Sequence, residues 1–394
     1  MFTITFSLII LVWCFIIYHH LVYPFILKHL PKYHPPRTPP RRLSCDAYFP
    51  SVCVLIPAYN EEAVIADKIR NLSCLDYPQD KLRVVIACDG CTDKTAIKAS
   101  QCALELENSQ LKIDIIEFRD NRGKVSVLNQ MIAEIQDDLI ALSDASALIS
   151  MDALLLAASH FCDCRIAVVA ASYKLLQPGS DGEDVYWQYQ SDIKLGEATL
   201  GSPIGVHGAL YLFRRPLFKP LLADTINDDF ILPMSMVTSG YRAVYEPKMV
   251  ALELEQASRQ MDLQRRVRLG AGNLQQLIRL PKLLAPSLGW TAFNFFSGKA
   301  MRAVMPILIL VQLLLCILLA THSLIFLTLS SLQLLGFFIA WLSGYLPQKS
   351  MHKYANILFY LANGYRCSLV GIVRYMLGLE RGHWSSVTSK EKAS

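Results

Sequence analysis

Three stretches of the sequence end an apolar or helical pattern in side chains that could do chemistry. In Leu139 to Ser146, LIALSDAS, an apolar run stops at Asp144. In Cys88-Asp89-Gly90-Cys91-Thr92-Asp93 a second run gives way to a carboxylate on a tight turn. In Asn121-Arg122-Gly123-Lys124 two cations stand just ahead of a helical pattern. An ionised Asp89 can accept hydrogen bonds from the N–H groups of a nucleobase or from a ribose hydroxyl. Basic residues at a helix N-terminus make a place where anions are favoured. Each stretch also has a plain structural reading: Asp144 as a helix cap, Asp89 in a turn with Asp93 capping the next helix, Arg122 and Lys124 as a solvated turn. Cys88 and Cys91 form a CxxC, but no second CxxC follows at zinc-site spacing, so metal binding by these thiols is not expected.

Positioning these groups takes strands whose carboxyl ends share one rim. Ser51 to Ile56 (SVCVLI), Leu82 to Ala87, Ile113 to Phe118 and the run before Asp144 are short and apolar without alternation, the pattern of parallel strands buried on both faces. Pro57 stops the first. Helical patterns follow through Leu72, from Asp93 towards Leu106 and from Gly123 to Ile135. The βαβαβαβ run predicts an α/β fold with a mostly parallel sheet and right-handed crossovers. In such sheets ligands bind outside the carboxyl ends of the strands, which is where Asp89 and Asp144 fall.

Composition sets the surroundings. A chain of 394 residues that is 53% hydrophobic is too apolar for an ordinary soluble enzyme, so a membrane protein is expected. The net charge of +5 is spread along the chain and argues against a nucleic-acid partner, although basic residues near the apolar segments suit anionic lipid. Several of the 11 cysteines sit inside apolar runs, as expected of reduced, buried thiols. Phe2 to Leu27 is long enough to span a bilayer and lacks a basic leader or cleavage site, which predicts an anchor. The domain limits that follow are a membrane helix at 1–28, a basic proline-rich linker at 29–50, a catalytic domain at 51–280, an interfacial amphipathic helix at 281–302 and a membrane region with tail at 303–394. Lys28, Lys32, Arg37, Arg41 and Arg42 in the linker place the catalytic domain in the cytoplasm. Ala303 to Ala320 and Leu324 to Leu346 form a predicted hairpin of spans; Ala355 to Leu379, with Arg366 and Arg374, fits either a third crossing or an interfacial helix.

The motifs together carry a resemblance. PAYNEE at Pro57 to Glu62, CDGCTDKT at Cys88 to Thr95, NRGKVSVLN at Asn121 to Asn129 and SDAS at Ser143 to Ser146 resemble the nucleotide-binding half of family 2 glycosyltransferases with the GT-A fold. GVHGALYLFRR at Gly205 to Arg215, Asn227-Asp228-Asp229, GYRAVYEP at Gly240 to Pro247 and QRRVRL at Gln264 to Leu269 resemble the acceptor half found in cellulose, chitin and hyaluronan synthases. The resemblance implies that Pro57, Ala58, Tyr59, Asn60, Glu61, Asp89, Gly90, Lys124 and Asp144 meet a nucleotide-sugar donor, and that Gly208, Arg265 and Arg268 serve the acceptor and the diphosphate. It implies a catalytic role for Asp228 and Asp229, with Asp229 as the general base, and Asp144 as ligand of a divalent cation, Mg2+ or Mn2+. The expected activity is inverting transfer, favouring a UDP-sugar, to a lipid-linked or growing polysaccharide acceptor at a bacterial inner membrane.

Two positions depart from the family pattern. Asp144-Ala145-Ser146 stands where many relatives have Asp-x-Asp, so a second carboxylate is missing. Leu269 replaces the tryptophan on which processive synthases stack the acceptor sugar, which favours single addition, alone or with a membrane partner subunit, over export of a polymer. His207 lies near the acceptor strand and reads as a packing or hydrogen-bonding residue rather than a ligand. A non-catalytic membrane scaffold that keeps the sugar-nucleotide fold is the contrasting class, and the retained Asp89, Asp144, Asp229 and Arg268 speak against it.

Overall fold

The computed structural model describes residues 2–30, 49–106, 111–177, 181–254, 259–343 and 353–380. Most of the basic linker and the tail after residue 380 lie outside the described residues. Helix α1 (Phe2–Ile17), a π-helical turn (Tyr18–Val22) and helix α2 (Tyr23–His29) run on as one rod, of which Thr3–His29 is long and apolar enough to cross a membrane. Ile4, Leu11, Leu21 and Phe25 are exposed along it, so no protein core accounts for their apolar character.

The expected alternation follows: β1 (Val52–Ala58), α3 (Ile65–Ser73), β2 (Leu82–Asp89), α4 (Thr95–Glu105), β3 (Lys112–Phe118), α5 (Lys124–Glu134) and β4 (Leu139–Leu142). Pairing among these strands is parallel, with Val52 opposite both Leu82 and Leu139, and Arg83 opposite Lys112. β1 and β4 are buried along their whole length because helices cover both faces, whereas β3 at the sheet edge is half-buried. Ile65, Ile69 and Leu72 of α3 close one face, and Val127, Leu128 and Met131 of α5 close the other. Each such buried Leu or Ile contributes roughly 1.5–3 kcal/mol relative to exposure.

Beyond β4 the sheet becomes mixed. β5 (Ala147–Ile149), α6 (Ala153–His160), β6 (Ile166–Leu175), α7 (Asp181–Leu200), β7 (Tyr211–Arg214), α8 (Asp228–Thr238) and β8 (Arg242–Glu253) complete eight strands in the order β3-β2-β1-β4-β7-β6-β8-β5. β7 runs antiparallel to β4 and β6. Because Tyr211 at the start of β7 pairs with Leu142 at the end of β4, the segment before β7 is delivered to the rim where Asp144 stands.

Helix α9 (Arg259–Arg279) leads to two 3-10 turns, Pro281–Leu284 and Pro286–Leu288. Sequence reasoning divides an interfacial helix at 281–302 from a span starting at Ala303. The structure instead joins α10 (Trp290–Asn294), a π-helical turn (Phe295–Ala300) and α11 (Met301–Ala320) into one helix, Trp290–Ala320, long and apolar enough to cross a membrane. The π-helical turn takes up the register without a break. α12 (Leu324–Ser343) packs back on α11, and its apolar stretch Leu324–Ile339 is shorter. α13 (Lys353–Met376), for which the sequence left two placements open, lies along α9 and also touches α7, α11 and α12. Its crossing with α9 is backbone against backbone: a Cβ on Gly371 would fall 2.1 Å from the Val267 carbonyl oxygen, and one on Gly270 would fall 2.6 Å from Ser368 Cα.

Candidate active site

The carboxyl ends of β1, β2 and β4 form one rim, and hydrogen bonds tie their loops together. Asp89, the last residue of β2, is fully buried. It accepts from the Arg122 N–H at 3.0 Å and from the Gly123 N–H at 2.8 Å, so it holds the turn that leads into α5. Both of its oxygens are thereby engaged by backbone. Gly90 (φ +62°) crosses that turn so closely that a Cβ would lie 2.3 Å from the Asn121 nitrogen. Asn60, also in the left-handed region (φ +58°), accepts from the Thr92 N–H at 2.8 Å and donates to Thr92 Oγ1 at 3.1 Å. The Glu61 N–H donates to Thr95 Oγ1 at 2.7 Å. Pro57 and Ala58 are buried within β1, while Tyr59 and Glu61 are half-buried at its end. Cys88 and Cys91 are free thiols, Cys91 donating to the Ala58 carbonyl.

The charged centre lies between the first turns of α5 and α8. Lys124 Nζ is 3.2 Å from Asp144 Oδ1 and 3.4 Å from Asp228 Oδ2. Burial works against the Lys124 charge, yet Asp144, Asp228 and Asp229 together raise its pKa and keep it protonated. Burial likewise opposes ionisation of Asp144, and Lys124 more than offsets it, so this carboxylate stays below its usual pKa. Asp229 behaves oppositely. Burial and the adjoining Asp228 carboxylate raise it to about 6, against the pull of Lys124 and Lys299. Gly208 backs onto the Asp144 carboxylate, an ideal Cβ there lying 3.2 Å from Oδ2.

Arg265 and Arg268 part company. Arg265 turns inward: its Nη2 is 3.4 Å from His207 Nε2, and its guanidinium lies 5.8 Å from the Trp187 ring centre. Arg268 is exposed and has no hydrogen-bond or ion-pair partner among the described residues. The His207 ring stacks on Tyr173 with centroids 3.7 Å apart and accepts from the Ala209 N–H at 3.2 Å. Burial and Arg265 lower its pKa to about 3 despite Asp144, so the ring is neutral.

Sequence reasoning missed three residues of this neighbourhood. Lys68 of α3 is fully buried and donates to Ser143 Oγ at 2.6 Å and to the Ala147 carbonyl, bracketing the Asp144 loop from below. Burial lowers its pKa to about 7, with Asp144 and Glu253 resisting. Tyr211 places a buried hydroxyl, without a partner among the described residues, where Asp228, Asp229 and Asp144 all act on it. Trp187 adds an aromatic face beside His207 and Arg265. No local spacing marks any of the three.

Among the described residues no group of three or more His, Cys, Asp or Glu side chains could hold a metal ion. Asp144 offers one carboxylate, so a divalent cation there would take its remaining oxygens from a bound diphosphate and water, a sharing that suits Mg2+. The donor set fits the ion on those terms only.

Residues 50–272, more than half of the 394, match the family model described as Glycosyltransferase like family 2. The chain belongs to glycosyltransferase family 2. It is accordingly a glycosyltransferase, and its sheet is the GT-A domain of that family. The beta-monoglucosyldiacylglycerol synthase of Synechocystis sp. is 32% identical over 168 residues, 39% of this chain and 35% of that protein. The poly-beta-1,6-N-acetyl-D-glucosamine synthase of Staphylococcus aureus is 26% identical over 204 residues, 50% of this chain and 48% of that protein. The matches thus span from about a third to about half of these family 2 relatives. A mannosyltransferase of Pyrobaculum calidifontis, solved with GDP-Man and Mn2+, shares the fold at a TM-score of 0.68 and 20% identity, covering 94% of this chain and 99% of that one.

Proposed function

We propose that this transferase is a membrane enzyme that moves a sugar with inversion from a nucleotide sugar, by resemblance a UDP-sugar, to a hydroxyl of a lipid-linked acceptor on the cytoplasmic side. The observation that carries the reading is the contrast within one cluster: Asp144 held ionised beside Lys124, and Asp229, next in the chain to the Asp228 that Lys124 also meets, poised near neutrality. Asp229 takes the proton from the acceptor hydroxyl, whose oxygen attacks the anomeric carbon as the bond from that carbon to the β-phosphate oxygen breaks. The electron pair leaves with the nucleoside diphosphate, and one displacement inverts the anomeric centre. Lys124 faces the developing charge from the N-terminus of α5. A divalent cation on Asp144 would supply further positive charge to the diphosphate. Asp89, Gly90 and Asn60 keep the loops under the nucleotide rigid, and Arg265 with Trp187 and His207 faces the sugars.

Leu269, exposed on α9, stands where processive synthases have an indole. Single addition is therefore favoured over polymer export. The test is Asp229→Asn in the membrane-embedded protein: sugar transfer is expected to fall by about 10²–10⁴-fold while nucleotide affinity is retained. Turnover unchanged in that variant would remove Asp229 as the base.

A further inference from the structure

On the side of Asp229 nearer the membrane-length helices, three cations gather around a single carboxylate, Glu197. Lys194 comes from α7, Lys299 from the π-helical turn and Arg302 from the first turn of α11. Lys194 donates to the Gly205 carbonyl at 2.7 Å. Lys299 reaches only Asn273 Oδ1 at 3.4 Å and lies 5.1 Å from the Phe230 ring centre. Both Arg302 Nη atoms stand 3.4 Å from Gln190 Oε1, whose own Nε2 is buried with no partner among the described residues. None of the three cations forms an ion pair among the described residues. Glu197, the carboxylate in their midst, is already engaged by the Tyr23 hydroxyl at 2.8 Å and the Ile204 N–H at 2.9 Å. An ammonium has three donors and a guanidinium five, so most of this hydrogen-bonding capacity is unspent, and half-buried positive charge of this kind is stabilised by an anion.

Two further observations say which anion. The cluster adjoins the base: the Val206 N–H donates to the Asp229 carbonyl at 3.2 Å, and Lys299 covers Phe230, the next residue. It also adjoins the membrane-length helices. Ser297 is bonded to Tyr18 at 2.6 Å and to His19 at 2.8 Å, and after Arg302 the sequence to Ala320 carries no charge. A ligand here has one end at the sugar-transfer site and the other in hydrocarbon.

We propose that Lys194, Lys299 and Arg302 form a subsite for the phosphate or diphosphate group that joins the acceptor sugar to its lipid. The assignment rests on the transferase reading above and narrows its acceptor to an anionic lipid. An uncharged lipid such as a diacylglycerol would leave three cations against the one carboxylate of Glu197.

The test is equilibrium binding of geranylgeranyl diphosphate to the full chain in neutral-lipid nanodiscs, with saturating UDP occupying the donor rim. The diphosphate is expected to bind roughly tenfold or more tightly than geranylgeraniol, and Lys299→Gln or Arg302→Gln to weaken it about tenfold each. Lys299→Arg and Arg302→Lys should stay within about threefold of the parent. Should a glutamine variant fail to fold, Lys194→Gln on the opposite helix carries the same test. Equal binding of the alcohol, unchanged affinity in the glutamine variants, or full displacement by equimolar inorganic diphosphate each overturns the subsite. Binding needs no turnover: selective binding by a chain that transfers no sugar sinks the transferase reading alone, and unselective binding by an active chain sinks the subsite alone.

Discussion

The two sides of Asp229 treat positive charge differently. At the rim of strand ends Lys124 has two carboxylates within 3.4 Å, and the Asp89 carboxylate accepts from backbone N–H groups. On the other side Lys194, Lys299 and Arg302 hydrogen-bond only to neutral amides and carbonyls among the described residues, with the one carboxylate of Glu197 acting on all three. A paired lysine is pinned in place and can be aimed, which suits a group that must meet charge developing in a transition state. Unpaired cations hold an anion that is present throughout, which suits binding. On the function proposed above, the contrast puts chemistry on one side and anchorage on the other.

The sharpest way to break this contrast is Lys124→Met. It removes the cation shared by Asp144 and Asp228, and transfer is expected to fall by about 10²–10³-fold, with roughly 1–3 kcal/mol of stability lost on thermal unfolding as two carboxylates face each other. A variant that kept its rate would show that Lys124 only balances charge. The pH profile comes next. Asp229 must be ionised to act, and its raised value of about 6 means that kcat/KM should drop about tenfold per pH unit below 6 and level off above it. A profile flat down to pH 5 would assign the proton elsewhere. Lys68→Met should have a smaller effect: the Asp144 loop loses its support, the donor KM rises several-fold, and about 1–3 kcal/mol of stability is lost. An unchanged donor KM with lowered melting temperature would confine Lys68 to folding. Smallest is Arg268→Gln, expected within about twofold of the parent in both KM values, against a marked rise in acceptor KM for Arg265→Gln.

The rim of strand and helix ends at Asp89, Lys124 and Asp144 was legible because its signals are local. A glycine after Asp89, a basic turn before α5 and an apolar run broken at Asp144 each announce a strand or helix end within a few residues. What was not legible depends on contacts between distant segments. Lys68 looks like a solvated helix position until Ser143 and Ala147, more than 70 residues on, close over it. Tyr211 is an ordinary apolar strand position until the antiparallel pairing with β4 turns it towards the carboxylates. The arginines of QRRVRL show the limit of spacing: three residues leave them only about 60° apart around the helix, yet Arg265 is half-buried against His207 and Trp187 while Arg268 is exposed. Asp89 allowed either a ligand contact or a turn on sequence grounds; the structure shows it holding the turn through both oxygens, which keep further acceptor capacity. The change from parallel to mixed sheet after β4 was equally out of reach, since strand direction is set by partners and not by composition.

The meeting of α9 and α13 alters what counts as the smallest working piece. The family match stops at residue 272, inside α9, yet Gly270 and Gly371 seat that helix directly on α13, where Tyr360 also stacks on Arg266 at 3.7 Å, one residue from Arg265. A fragment trimmed to the family boundary, or cut behind α12, would strip the backing from the arginine helix and bare a long greasy groove. Excising the sugar-handling half to obtain a convenient water-soluble enzyme is therefore a plan this architecture defeats.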